Sequence, residues 1–135
     1  MEVVLCLDKN GGMLFNNRRQ SRDVKVLEDI FDNLGDKKLY ISSFSEKLFV
    51  DFSDKVTVVD NFSDNANDDG VCFVENIDVG HFADKISKIT VYNWNRVYPV
   101  DTLCTVNFKE FKKIGSTDFK GNSHEKITKA VYIKK

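Results

Sequence analysis

Arg18-Arg19-Gln20-Ser21-Arg22-Asp23 gathers three guanidinium groups, a hydroxyl and a carboxylate just before an amphipathic stretch. A guanidinium is a planar fork of donors that matches phosphate or carboxylate, and the chain otherwise prefers lysine. At a helix start, backbone amides and the helix dipole add partial positive charge. Arg18, Arg19, Ser21 and Arg22 are therefore candidate ligands for an anion. Asp23 is a candidate catalytic or ligand-orienting carboxylate. The competing reading is a solvated basic turn, with Asp23 favouring its own helix terminus.

Two further groups are candidates for the same ligand. Ser42, Ser43 and Ser45 supply hydroxyls at the start of a short predicted helix, and Glu75-Asn76 closes an apolar run. Asn76 is also a favoured residue for capping the helix that follows. His124-Glu125 has the composition of an acid/base pair, but its place at the start of an edge strand predicts a surface residue. Trp94, Arg96 and Tyr98 could stack on a ring and hold an anion, or the aromatics could simply anchor a loop.

Other chemistry is disfavoured. Cys6, Cys72 and Cys104 are odd in number and widely spaced, which argues against a disulfide framework or a zinc knuckle. His81 and His124 lack metal-ligand spacing, so no metal site is expected. The acidic run from Asn61 to Gly70 lacks the order of a calcium loop and reads as a mobile, solvated loop. The formal net charge of -1 gives no general attraction to nucleic acid or anionic lipid. No apolar run has the length of a membrane span, and the N-terminus does not resemble a signal peptide, so a cytoplasmic protein is expected.

The elements that would position these residues alternate. Val3 to Leu7 is a continuous apolar run, read as a buried central strand, and Asp8 to Gly12 breaks it. Ser21 is the expected N-cap of a helix from Asp23 to Leu34, with Val24, Leu27, Ile30, Phe31 and Leu34 on one face. Strands are expected at 39–41, 56–59, 71–74 and 89–92. Helices are expected at 43–49 and 77–86. Strands at 111–119 and 127–133, with no helix between them, should pair antiparallel. The pattern predicts one α/β domain over residues 1–135, with a mixed, mostly parallel sheet flanked by helices and antiparallel C-terminal strands.

That order of segments resembles dihydrofolate reductase across most of the chain. Val4 to Asp8 with Asn10-Gly11-Gly12 resembles the family's first strand and active-site loop. Lys37 to Phe49 resembles the strand and helix that carry part of its cofactor phosphate site. Ala83 to Thr90 resembles a helix end and the next strand, and Tyr98 to Thr102, Phe108 to Phe119 and Ile127 to Ile133 resemble the closing segments. The family's site residues are largely replaced. Arg18 to Arg22 occupies the approach where the family has a proline-tryptophan pair, and Asp23 falls close to its acidic position. Ser42-Ser43-Phe44-Ser45 stands at the phosphate-binding segment without its arginine, and Glu75-Asn76 replaces a glycine pair that lets cofactor approach the backbone. A Glu75 anion facing a pyrophosphate would be repulsive by roughly 1 kcal/mol or more. The resemblance implies NADPH; these departures disfavour it, and no other cofactor is indicated.

Two functions follow as expectations. In one, a nucleotide or other phosphorylated, anionic small ligand binds in the cleft at the strand ends. In the other, the scaffold is non-catalytic and binds a protein partner, as a phage or mobile-element factor acting on a host or defence protein would.

Overall fold

A computed structural model describes residues 1–62 and 70–135. The expected loop between Asn61 and Gly70 lies largely outside the described residues.

Apolar β-rich runs make the main sheet. β1 (Glu2–Leu7) is flanked by parallel partners, β6 (Gly70–Phe73) on one side and β7 (Lys88–Asn93) on the other. β4 (Lys38–Ile41) and β5 (Val56–Val58) extend the parallel set beyond β6. β10 (Ile127–Lys134) and β9 (Phe111–Phe119) run antiparallel beyond β7, giving the seven-stranded order β5-β4-β6-β1-β7-β10-β9. The expected mixed sheet with antiparallel C-terminal strands is thus the observed one. β10 is internal and β9 forms the edge, so His124 does not open an edge strand.

Side-chain alternation on β1 divides the core between the two sheet faces. Val3, Leu5 and Leu7 pack with Ile89 and Val91 on one face, while Val4 packs with Leu27, Ile30, Phe49, Phe73 and Tyr92 on the other. The helix α1 (Val24–Asp32) covers the second face through Val26, Leu27 and Ile30. Its N-cap is Asp23, whose carboxylate accepts from the Lys25 amide, rather than the expected Ser21.

The other expected helices are 3₁₀ turns, at Ser43–Ser45 and at Val79–Lys85, the latter kinked at Phe82. Asp78 caps the second through the Gly80 amide and also binds Thr105, which holds the segment in short turns. A small sheet escaped the sequence reading. In it β2 (Gly12–Phe15) pairs with both β3 (Arg18–Arg19) and β8 (Thr102–Leu103). Asn16 and Asn17, with φ of 51° and 58°, turn β2 into β3 and carry Arg18 and Arg19 back over the strand ends.

Candidate functional site

The carboxyl ends of β1, β6 and β7 and the start of α1 enclose an inner pocket. Cys6, Met13, Leu27, Leu48, Phe73 and Trp94 give it apolar walls, and Arg19, Gln20, Ser21, Asp23 and Glu75 supply its polar groups. Its free volume is about 20 Å³, room for roughly one water. Burial, together with the nearby Glu75 and Asp23 charges, pushes the Cys6 thiol up, so it is protonated and unsuited to nucleophilic chemistry.

Arg19 forms a wall shared with a second, open cleft of about 440 Å³, lined by Asn17, Arg18, Arg19, Ser43, Phe44 and Lys47. Strand β3 delivers its arginines, and the turn after β4 delivers Ser43, Phe44 and Lys47. Arg18 and Lys47 are exposed and make no ion pair among the described residues. Arg19 is different. Its Nε and Nη2 donate to Glu75 Oε2 and Oε1 at 2.7 and 3.1 Å, and its guanidinium lies 5.5 Å from the Phe44 ring centroid. Ser45 Oγ, fully buried, donates to Glu75 Oε1 at 2.8 Å. Glu75 is therefore neutralised by Arg19 instead of facing a ligand as a bare anion.

Asp23 lines the inner pocket but spends its acceptor positions on its own chain. Oδ1 accepts the amides of Lys25 and Asn122 at 2.9 and 3.2 Å, and Oδ2 accepts the amide and hydroxyl of Ser123 at 2.8 and 2.7 Å. Burial opposes ionisation, but the Ser123, Asn122 and Lys25 hydrogen bonds outweigh it and hold this carboxyl below its usual range. Asn122 Oδ1 takes the Val24 amide at 2.9 Å. Two amides that an anion at the helix start would use are thereby occupied, which corrects the expectation of an open helix-terminal site. Arg22 also lies apart, in a groove with Asp51, Phe52 and Asn122. The structure thus brings Arg18, Arg19 and Ser43 to one cleft. Ser21 and Asp23 lie in the inner pocket, and Arg22 lines a separate groove. Ser42 reaches Asn76 Oδ1 at 3.4 Å.

Sequence reasoning missed a chain of hydrogen bonds behind Asp23. The Ser123 hydroxyl donates to Asp23, so Ser123 Oγ accepts from His124 Nδ1 at 2.7 Å, and the bare Nε2 accepts from the Tyr98 hydroxyl at 2.5 Å. His124 is buried and stacks on Trp94, with ring centroids 4.8 Å apart. Burial and the Arg96 charge push its imidazole below the usual range, against the opposing pull of Asp23. Both nitrogens are engaged, so this histidine holds a loop in place. Trp94 and Tyr98 likewise anchor that loop. A Gly-Asn-Ser-His sequence gives no periodic signal for such a fold-back.

The site and sheet define an open α/β domain with a crevice at its strand ends. A solved structure of dihydrofolate reductase from Enterococcus faecalis, complexed with NADP(H) and RAB-propyl, superposes with a TM-score of 0.70. The match covers 98% of this chain and 95% of that one at 8% sequence identity. This chain has a dihydrofolate reductase-like fold. No family model matches it, and no curated protein sequence matches it.

Proposed function

We propose that the domain binds a nucleotide or another phosphorylated small molecule at the strand-end crevice, with its anionic group on the cleft of Arg18, Arg19, Ser43, Phe44 and Lys47. The observation that carries this reading is the pair of exposed cations, Arg18 and Lys47, which make no ion pair among the described residues and lie beside an aromatic ring and a hydroxyl. Guanidinium and ammonium groups hold phosphate, and Phe44 offers apolar surface to a ring. Arg22 and the capped helix start are left out of the site.

NADP(H), with which the superposed reductase is complexed, is a ligand to test, but the residues here do not fit an extended dinucleotide. Ser45–Glu75 and Ser42–Asn76 stitch together the two segments aligned with the family's phosphate cradle, and the Glu75 and Asn76 side chains stand where backbone approach would be needed. A second reading is favoured by the saturation of Asp23: a carboxylate committed to its own chain suits a non-catalytic scaffold that engages a protein partner.

Thermal melting across nucleoside mono-, di- and triphosphates, NADPH and inorganic pyrophosphate separates the readings, since a ligand that binds only the native state raises Tm. The proposal expects a rise with at least one phosphorylated compound, lost in the Arg18→Ala, Lys47→Ala double variant. A panel with no shift moves the protein to the second reading.

A further inference from the structure

The inner pocket holds a polar group that the fold leaves unused. Both polar atoms of the Gln20 side chain, Nε2 and Oε1, are buried and have no hydrogen-bond partner among the described residues. Folding an amide donor and acceptor out of water without compensation is costly, and native structures keep few such groups. The neighbouring polar side chains do not relieve it. Arg19 is engaged with Glu75, Ser45 is engaged with Glu75, and Ser21 donates to Ser123 Oγ at 2.9 Å. Asp23 is saturated by the helix start and the 122–123 backbone.

An amide presents a donor and an acceptor side by side. Its complement is an edge with the reverse pair, as on a lactam, a carboxamide or a nucleobase. Met13, Leu27, Leu48, Phe73 and Trp94 line the same pocket as Gln20 and give it apolar walls, which suit a flat ring and strengthen a hydrogen bond made among them. The free volume of about 20 Å³ holds about one water and both amide atoms are covered, so a ring edge meets the amide only as the lining side chains move apart. Because Arg19 lines both spaces, a ligand entering by its edge would keep its remainder toward the basic cleft.

We infer that Gln20 is the specificity-determining residue of the crevice and reads the paired donor–acceptor edge of a nucleobase-like ring whose phosphate lies on the Arg18–Lys47 cleft. The inference rests on the reading of the cleft proposed above and adds the chemical class of the ring.

The test compares inosine 5′-monophosphate with purine riboside 5′-monophosphate, which keeps the ring and phosphate but lacks the lactam N–H and C=O. By calorimetry the native protein should bind the inosine compound at least about tenfold more tightly, since its analogue has no donor for the amide oxygen. That ratio should fall to about one in Gln20→Leu and in the unbranched Gln20→Met, either of which suffices if the other folds poorly. Ligand-free Gln20→Leu or Gln20→Met should melt no lower than the parent, because each replaces an unpaired buried amide with an apolar group. Equal binding of both nucleotides by the parent, or a ratio that survives in the variants, overturns the inference. A fall in Tm for both ligand-free variants also overturns it, by showing that the amide is already satisfied. If both nucleotides bind equally and Lys47→Ala weakens both, Gln20 is refuted while the cleft stands. If neither nucleotide nor inorganic pyrophosphate binds, both fall.

Discussion

At the scale of single residues, two acidic groups shape the crevice, and both are used by the protein itself. Asp23 closes the start of α1 onto the 121–124 segment, and Gly121 makes that approach feasible. A Cβ built at Gly121 would lie 2.3 Å from Asp23 Oδ2 and 2.4 Å from Ile127 Cδ1. Gly121→Ala should therefore destabilise the domain by about 1–3 kcal/mol, the range for overpacking, read as a lower denaturation midpoint in urea. Glu75 is the other case. Glu75→Gln removes the bidentate acceptor from Arg19, which keeps partial access to water, so a loss of about 1–2 kcal/mol is expected, below that for breaking a fully buried pair. The same change frees the guanidinium and should tighten pyrophosphate binding in calorimetry. Asp23 and Glu75 were legible in the sequence as candidate site residues. Their partners were not, because Ser123 lies 100 positions from Asp23 and Arg19 lies 56 from Glu75, and no local pattern records such pairing.

Among the elements, the strands were readable where apolar side chains run on continuously, as in Val3 to Leu7 and Ile89 to Tyr92, because burial on both faces needs such runs. The small sheet was hidden. Strands of two to four residues, such as Arg18–Arg19 and Thr102–Leu103, are too short for alternation to show. The 121–124 latch was hidden too, and it has a pH signature. The Asp23 carboxyl and the His124 imidazole are both held below their ordinary values. For each, the unfolded chain binds protons more readily than the native one as pH falls, so acid removes stability. The His124 contribution is fully present above its unfolded pKa of about 6.5 and declines below it, and the Asp23 contribution declines below about 3.9. Urea midpoints from pH 8 to pH 3 should fall in two stages. His124→Gln should flatten the upper stage and leave the lower. A profile that rises on acidification from pH 7 to pH 5 would contradict the assigned burial of a neutral His124.

For the whole molecule, the order of segments carried the fold although only 8% of positions agree with the superposed reductase. A sheet is specified by which runs are apolar and how they are spaced, and many sequences meet that pattern. The crevice was legible only in part. The sequence placed the arginines near the strand ends but did not single out Lys47, nor the division that puts Arg18 and Lys47 in one cleft, Arg22 in another groove and Asp23 behind a saturated cap. The most direct measurement is an amide chemical-shift titration of the native protein with inorganic pyrophosphate. Saturable shifts are expected, concentrated at Arg18, Arg19, Ser43, Phe44 and Lys47 and abolished in the Arg18→Ala, Lys47→Ala double variant, with Arg22 and Val24 unmoved. Saturable shifts centred instead on Arg22 and Val24, or none at the Arg18–Lys47 cleft, would contradict it.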